Sequence, residues 1–453
     1  MRDLFLIVFL GALFLLAARR PFLFVLTYVY IDIVSPQHIS YYLLNAIPVS
    51  MIAFGLAGLS WLVFDDKRDS RFAPRQLLLL MLLGWCWFTT SRADFPIEAA
   101  FKWDWVWKAM VFAIFLPLTL RTKLRIEALL LFILLSVSAI VITGGLKTVL
   151  SGGGYGQMHL LVSNNSGIFE SSIASTVAIA MIPIILWFMK FGTIFPPDWR
   201  VKAFGSALIF ACLILPIGTA ARTGLICIAM LAVLSLRDAK RRMLYIGGAV
   251  MALLLVIPFL PSAYTERMGT IRNYQADASA STRIMVWNWT LDYVKQKPLG
   301  GGFDAYRQNE LRYETTAVVG VGPNQTVQRQ LVVDQARAYH SAYFEMLGEQ
   351  GWPGLILWLV IHGLGFLRME ILRRRYRTPR EGDEWISPLA TALQHCHIIY
   401  MVGALFVGIA LNPFIYLIIG AQIGLDTYLG RLRQADAKVP LRAKRAPVAT
   451  AQG

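Results

Sequence analysis

Apolar runs of near-spanning length recur along this chain, and no other feature limits its fold so strongly. They fall at about 4–18, 21–36, 42–64, 76–91, 105–120, 126–142, 170–191, 203–220, 223–236, 244–260, 352–367, 391–410 and 412–429. A helix needs roughly 20 apolar residues to cross the hydrocarbon core, so the shorter runs must recruit flanking residues. The first two runs are parted only by Arg19, Arg20 and Pro21 and count as one crossing or two. The 453 residues are 57% hydrophobic and 15% charged, a balance that water-soluble domains rarely show. The pattern predicts an all-α, polytopic transmembrane bundle of about 12 helices. It continues straight past the first segment, so no cleaved leader is expected.

Orientation follows from Lys and Arg placement. Basic clusters at Arg19–Arg20, Lys67–Arg75, Arg121–Arg125, Lys190–Lys202, Arg237–Arg242, Arg368–Arg380 and Arg431–Arg445 hold most of the 43 basic residues. They alternate with poorly basic connections. Placing the clusters in the cytoplasm leaves 92–104, 143–169, 220–223, 261–351 and a tight Asn412–Pro413 turn outside. The division is then 1–260 for N-terminal transmembrane helices, 261–351 for a large outer loop, 352–430 for C-terminal helices and 431–453 for a basic cytoplasmic tail. The net charge of +16 reads as this topology signal plus attraction to anionic lipid headgroups. A nucleic-acid partner would need that charge gathered on one soluble face, and it is not.

Within the outer loop, 278–302 opens on Ser and Thr capping candidates. Ile284, Trp287, Leu291 and Val294 follow at helical spacing, and Lys297-Pro298 with three glycines ends the pattern. Residues 335–347 read as a second helix, with Gly348, Gly351, Pro353 and Gly354 turning into the next crossing. Between them, 303–334 is polar, lacks a clear period and is expected to be a surface loop. The glycine-rich stretch Ser151–Gly156 reads as either a gate for an acceptor or a plain connector.

Candidate chemistry lies in four residues. Residues 203–236 contain one charge, Arg222, between flanking Lys202 and Arg237, so the stretch must be a hairpin with Arg222 at its outer tip. An arginine there is either a snorkelling anchor or a bidentate partner for phosphate oxygens. Arg283 opens the loop helix near its positive end, where it either serves a site or is simply solvated. Arg337 and His340 stand three apart in the expected second helix and share one face there. Phosphate recognition needs cations, and deprotonating a hydroxyl needs a base of near-neutral pKa. Together the four suit a phosphate-linked lipid substrate.

No metal or other cofactor is expected. Asp94, Glu98 and Asp104 are too widely spaced for a paired-carboxylate cation site. His395 and His397, two apart on a helix, point away from each other. Cys86, Cys212, Cys227 and Cys396 fall in or beside apolar runs and read as packing residues.

GTAARTG around Arg222, TRIMVWNWTLDYVKQKPLGGGFDAY from Thr282 and H-S-x-Y…G-E-Q-G-x-P-G from His340 resemble the O-antigen ligase/polymerase superfamily. The N-terminal RPFLFVLTYVYIDIVSPQ is similar to exosortase-associated O-glycosylation ligases. The layout agrees over about 120–430 and the motifs over about 215–355 of the chain. The resemblance implies a GT-C-like membrane glycosyltransferase of the bacterial inner membrane with its site facing the periplasm. It implies that Arg222, Arg283 and His340 are needed for activity, and that Arg222, Arg283 and Arg337 hold the donor diphosphate. Glu349 also matches a family position, read here as a brace of the helix start. The implied donor is undecaprenyl diphosphate bearing an O-antigen chain, and the implied acceptor is a sugar hydroxyl of lipid A-core. A polymerase, with a second lipid-linked glycan as acceptor, stays open, as does a ligase acting on protein. A flippase is the rival of another class, but the charges sit at helix ends and no internal repeat is seen.

Overall fold

The computed structural model describes residues 2–40, 43–44, 46–67, 70, 72–151, 170–237, 242–243, 247, 278–319 and 326–438. The apolar run 244–260 (apart from residue 247), most of the glycine-rich stretch Ser151–Gly156, the start of the outer loop and the end of the basic tail lie outside these residues. The chain is mostly helical. In order come α1 (Arg2–Arg19), α2 (Phe22–Val34), α3 (Pro36–Ile39), α4 (Val49–Phe64), α5 (Pro74–Thr90), α6 (Pro96–Thr119) and α7 (Lys123–Ser151). Next are α8 (Ser171–Phe191), α9 (Trp199–Gly218), α10 (Arg222–Leu236) and α11 (Ala278–Gln296). A short 3-10 turn (Ala305–Gln308), strands β1 (Glu310–Val319) and β2 (Thr326–Gln335), then α12 (Ala342–Arg375), α13 (Ile386–Gly403) and α14 (Pro413–Lys438) complete the order.

Four helices, Lys123–Leu150, Ser171–Phe191, Trp199–Gly218 and Ala342–Arg375, are long and apolar enough to cross a membrane. Phe22–Val34, Val49–Phe64 and Arg222–Leu236 are shorter apolar helices. This is an integral membrane protein. Helix α8 packs against α7, α9, α10 and α13. It is buried almost all round, from Ile173 to Ile185, as a helix apolar on every side must be. Its small residues let neighbours approach closely. At Gly403 of α13, an added Cβ would stand 2.4 Å from the Thr176 side chain.

Polar side chains also meet inside the bundle. His362 Nδ1 of α12 lies 2.6 Å from His397 Nε2 of α13, and His397 Nδ1 lies 3.2 Å from Gln422 Nε2 of α14. Arg75 of α5 donates to Gln422 Oε1 at 3.1 Å. The four cysteines are free and buried, as packing residues would be.

Three expectations need correction. The all-α reading misses a β-hairpin: β1 and β2 pair antiparallel from Glu310↔Gln335 to Val319↔Thr326, where a surface loop was expected. Thr315, Thr316, Val318 and Val319 on one strand, and Val327, Val332 and Val333 on the other, are β-branched residues that suit a pleated surface. The helix expected from 335 begins only at Ala342, because β2 runs through Gln335 and residues 336–341 are not helical. The tight turn at Asn412–Pro413 is a longer irregular connection, since α13 ends at Gly403 and α14 starts at Pro413.

Candidate functional site

The glycine motif after α11 is explained by backbone contact. Gly301 N–H donates to the Gly348 carbonyl at 3.0 Å, Gly302 N–H to Glu349 O at 2.9 Å, and Trp352 N–H to Pro298 O at 3.0 Å. Gly351, with φ 65°, breaks α12 into two segments there. A Cβ on Gly300 would sit 2.5 Å from Glu349 O, and one on Gly351 2.3 Å from Pro298 O. Two chains this close admit only glycine. Asp94, from the 92–104 connection, clamps the same region by accepting from Tyr293 of α11 and from Lys297 just past its end.

This clamp fixes the first segment of α12, and with it two buried carboxylates. Lys102 of α6 donates to Glu345 at 2.6 Å and to both oxygens of Glu349 at 2.8 Å. Glu349 further accepts the backbone N–H of Asp304 at 3.0 Å, and Glu345 that of Ala410 at 3.1 Å. Carboxylates buried this way need such partners. Glu349 is therefore more than a brace at a helix start. It joins α6, α12 and the turn after the glycines. Lys102 and Glu345 carried no sequence signal, since their partners lie more than two hundred residues apart in the chain.

These residues line a cavity of about 1440 Å³, shared with His340, Glu170, Arg307 and parts of α2 and α6. His340 does not share a helix face with Arg337, as the sequence suggested. Both lie in the irregular link between β2 and α12, and His340 takes φ 49°. A non-glycine residue is held in that left-handed region only when its surroundings over-determine it. Asn309 supplies much of that restraint. Its side chain accepts the Arg337 N–H at 2.8 Å and donates to the Arg337 carbonyl at 2.7 Å. Trp287 of α11 donates to the Tyr339 carbonyl at 2.9 Å while stacking on Phe344, with ring centroids 4.9 Å apart. Asn309 and Trp287 are positioning residues that sequence reasoning missed.

Electrostatics tie the predicted cations to this point. Burial, then the Arg283 and Arg337 guanidiniums, lower the His340 pKa to about 4. Burial raises the Glu170 carboxyl while Arg283 opposes that rise, so Arg283 acts on both groups. Arg337 also pairs with Asp334 at 3.3 Å. Arg222 opens α10 beyond the turn at Ala220, whose φ is 50°, so the expected hairpin tip is where the structure puts it. That tip packs on α8, with Thr219 Oγ1 3.3 Å from Ser175 Oγ. Glu170, the residue before α8, lines the cavity. Arg283, Arg337 and His340 thus act on one another, while Arg222 stands at the turn that packs on α8. Of the acids weighed for a cation, Asp94 meets Lys297 and Asp104 meets Lys108 at 2.8 Å.

The bundle thus holds a polar cavity, a restrained histidine on its wall and two arginines that act on that histidine. Residues 207–359, which hold Arg222, Arg283, Arg337, His340 and Glu349, match the O-antigen ligase family. The resemblance stands over that stretch, and the family implies a glycosyltransferase-like ligase acting on a lipid-linked glycan. Residues 1–193 match a family of unknown function, DUF5935. None of the curated proteins compared matches the chain significantly.

Proposed function

We propose that the protein is an O-antigen ligase of the bacterial inner membrane. It transfers the glycan from undecaprenyl diphosphate to a sugar hydroxyl of lipid A-core on the periplasmic face. In this reading the chain makes about twelve crossings, following the apolar runs and the basic clusters. One observation carries the chemistry: His340 is held out of helical geometry at a cavity wall, where burial and then the Arg283 and Arg337 guanidiniums lower its pKa to about 4.

The acceptor hydroxyl gives its proton to the His340 imidazole as its oxygen attacks the anomeric carbon. The bond from that carbon to the phosphate oxygen breaks, and undecaprenyl diphosphate leaves with the electron pair. Arg222, Arg283 and Arg337 bind the diphosphate and stabilise the charge it gains. Burial, and after it the two arginines, depresses the basicity of His340. Diphosphate binding offsets those charges, so the imidazole becomes a better base when the donor arrives. No metal is required, because the cations are supplied by side chains.

The test is transfer by the purified protein from lipid-linked glycan, without nucleotide or added metal. A glycan ladder on lipid A-core supports the ligase. Longer lipid-linked chains would make it a polymerase, glycosylated protein a protein ligase, and lipid movement without transfer a flippase. Orientation is tested with single cysteines in intact spheroplasts. Position 316 should react with an impermeant thiol reagent and position 378 should not, and reversed labelling would overturn the mechanism.

A further inference from the structure

The cavity has a second group of lining residues, drawn from the region of unassigned family function. Tyr28 and Asp32 of α2, Ser35 between α2 and α3, Gln37 and His38 of α3, and Ser50 of α4 line the same space as His340. No lysine or arginine of these three elements lines it. Burial lowers the pKa of His38. Helices α2, α3 and α4 thus give the cavity one carboxylate and no lysine or arginine, while the cations that line it, Lys102, Lys108 and Arg307, come from α6 and the 3-10 turn and are already paired with carboxylates.

Its hydrogen-bonding capacity is unspent. Tyr28 is 1% exposed, yet its hydroxyl has no partner among the described residues, and neither has Gln37 Oε1. Buried polar groups are normally satisfied, so each exception calls for an explanation. Tyr28 is held in place by stacking on Phe112, with centroids 4.0 Å apart. Asp32 follows it by one helical turn, so the two share a face of α2. Ser35, with φ 49°, turns the chain between α2 and α3, and such outliers gather at binding sites.

We infer that α2, α3 and the start of α4 form the acceptor subsite, and that it takes a neutral, hydroxyl-rich sugar end. This rests on the transfer reading above. A hydroxyl donor, a carboxylate acceptor and an amide oxygen match the mixed donors and acceptors of a sugar ring. A phosphorylated ring would bring an anion against the Asp32 carboxyl, and the lysines and arginine that line the cavity are already paired with carboxylates. The region matching the family of unknown function then chooses the acceptor, while the ligase-family region holds the donor.

The test is equilibrium binding to the full-length protein in lipid nanodiscs. The probes are a fluorescent neutral hexose trisaccharide, the same sugar bearing a phosphate monoester, and a serine-rich peptide. The neutral sugar should bind best. Tyr28→Phe and Asp32→Asn should each weaken it roughly tenfold, the loss of about one net hydrogen bond, while undecaprenyl diphosphate binds as before. Tyr28→Phe removes a hydroxyl that no protein group satisfies, so thermal stability should not fall with it. Equal or tighter binding of the phosphorylated sugar, preference for the peptide, or unchanged affinity in both variants would overturn the subsite. Sugar binding that behaves as described in a protein that transfers no glycan would sink the transfer reading and leave the subsite standing.

Discussion

Helix α12 carries two groups of buried polar side chains, and they behave differently. In its first segment, Glu345 and Glu349 meet Lys102 at the wall of a large cavity. In its second, His362 meets His397, Gln422 and Arg75 in a chain that lines none of that cavity. Ionisable residues within a membrane bundle are by default candidates for function. Here access separates the two. The first group faces space a substrate can fill and adjoins a strained histidine. The second lines none of that space and ties α5, α12, α13 and α14 together through hydrogen bonds among its own members.

The comparison can be broken by removing one member from each group. Lys102→Ala should have the largest effect on folding, because two buried carboxylates lose their cation. Breaking a buried pair costs roughly 3–5 kcal/mol, so thermal melting in detergent should fall sharply and transfer should vanish with it. A variant that melts like the parent would show that water or neighbours already satisfy Glu345 and Glu349. Arg222→Lys should keep the fold but lose transfer roughly tenfold to hundredfold, since an ammonium cannot reproduce the two parallel bonds of a guanidinium to phosphate. Near-normal turnover would return Arg222 to the role of a membrane anchor. His362→Leu should lower stability by about 1–3 kcal/mol by leaving His397 without its partner, while the rate per folded molecule stays close to that of the parent. A large loss of rate in the folded variant would make the inner group part of the chemistry.

The smallest effect concerns pH. His340 titrates near 4 rather than at the usual imidazole value, so it is already a free base at neutral pH. The acid limb of kcat/KM should therefore lie near pH 4, because protonation below that value removes the base. For folding the sign is the same. As pH falls from the ordinary histidine range toward 4, the unfolded chain gains a proton that the folded chain refuses, so stability declines over that window. Arg337→Gln removes the lesser of the two charge effects and should move the acid limb upward by a fraction of a unit. A limb that stays put in this variant would separate Arg337 from His340.

What could be read from sequence was local. Apolar runs gave the long helices, the lone charge Arg222 marked a hairpin tip, and the period of Ile284, Trp287, Leu291 and Val294 gave α11. The hairpin β1–β2 left a weaker trace in its β-branched residues, which polar neighbours obscured. The error at 335–347 was of another kind. Nothing in the sequence shows that Ala336 and His340 take positive φ, because neither is glycine and the restraint comes from Asn309 and Trp287. The pairing of Lys102 with Glu349 was also invisible, being set by the glycine clamp that brings α6, α11 and α12 together. The site's chemistry was thus legible as residue types, and its assembly was not.

The central claim is that His340 is the base, and single-turnover transfer by His340→Ala addresses it directly. Donor binding and melting are measured on the same preparation. Loss of a positioned base should slow transfer by roughly 10²–10⁴, with undecaprenyl diphosphate still bound and stability nearly unchanged. A variant that transfers glycan at close to the parent rate would contradict the account and leave the arginines to act alone.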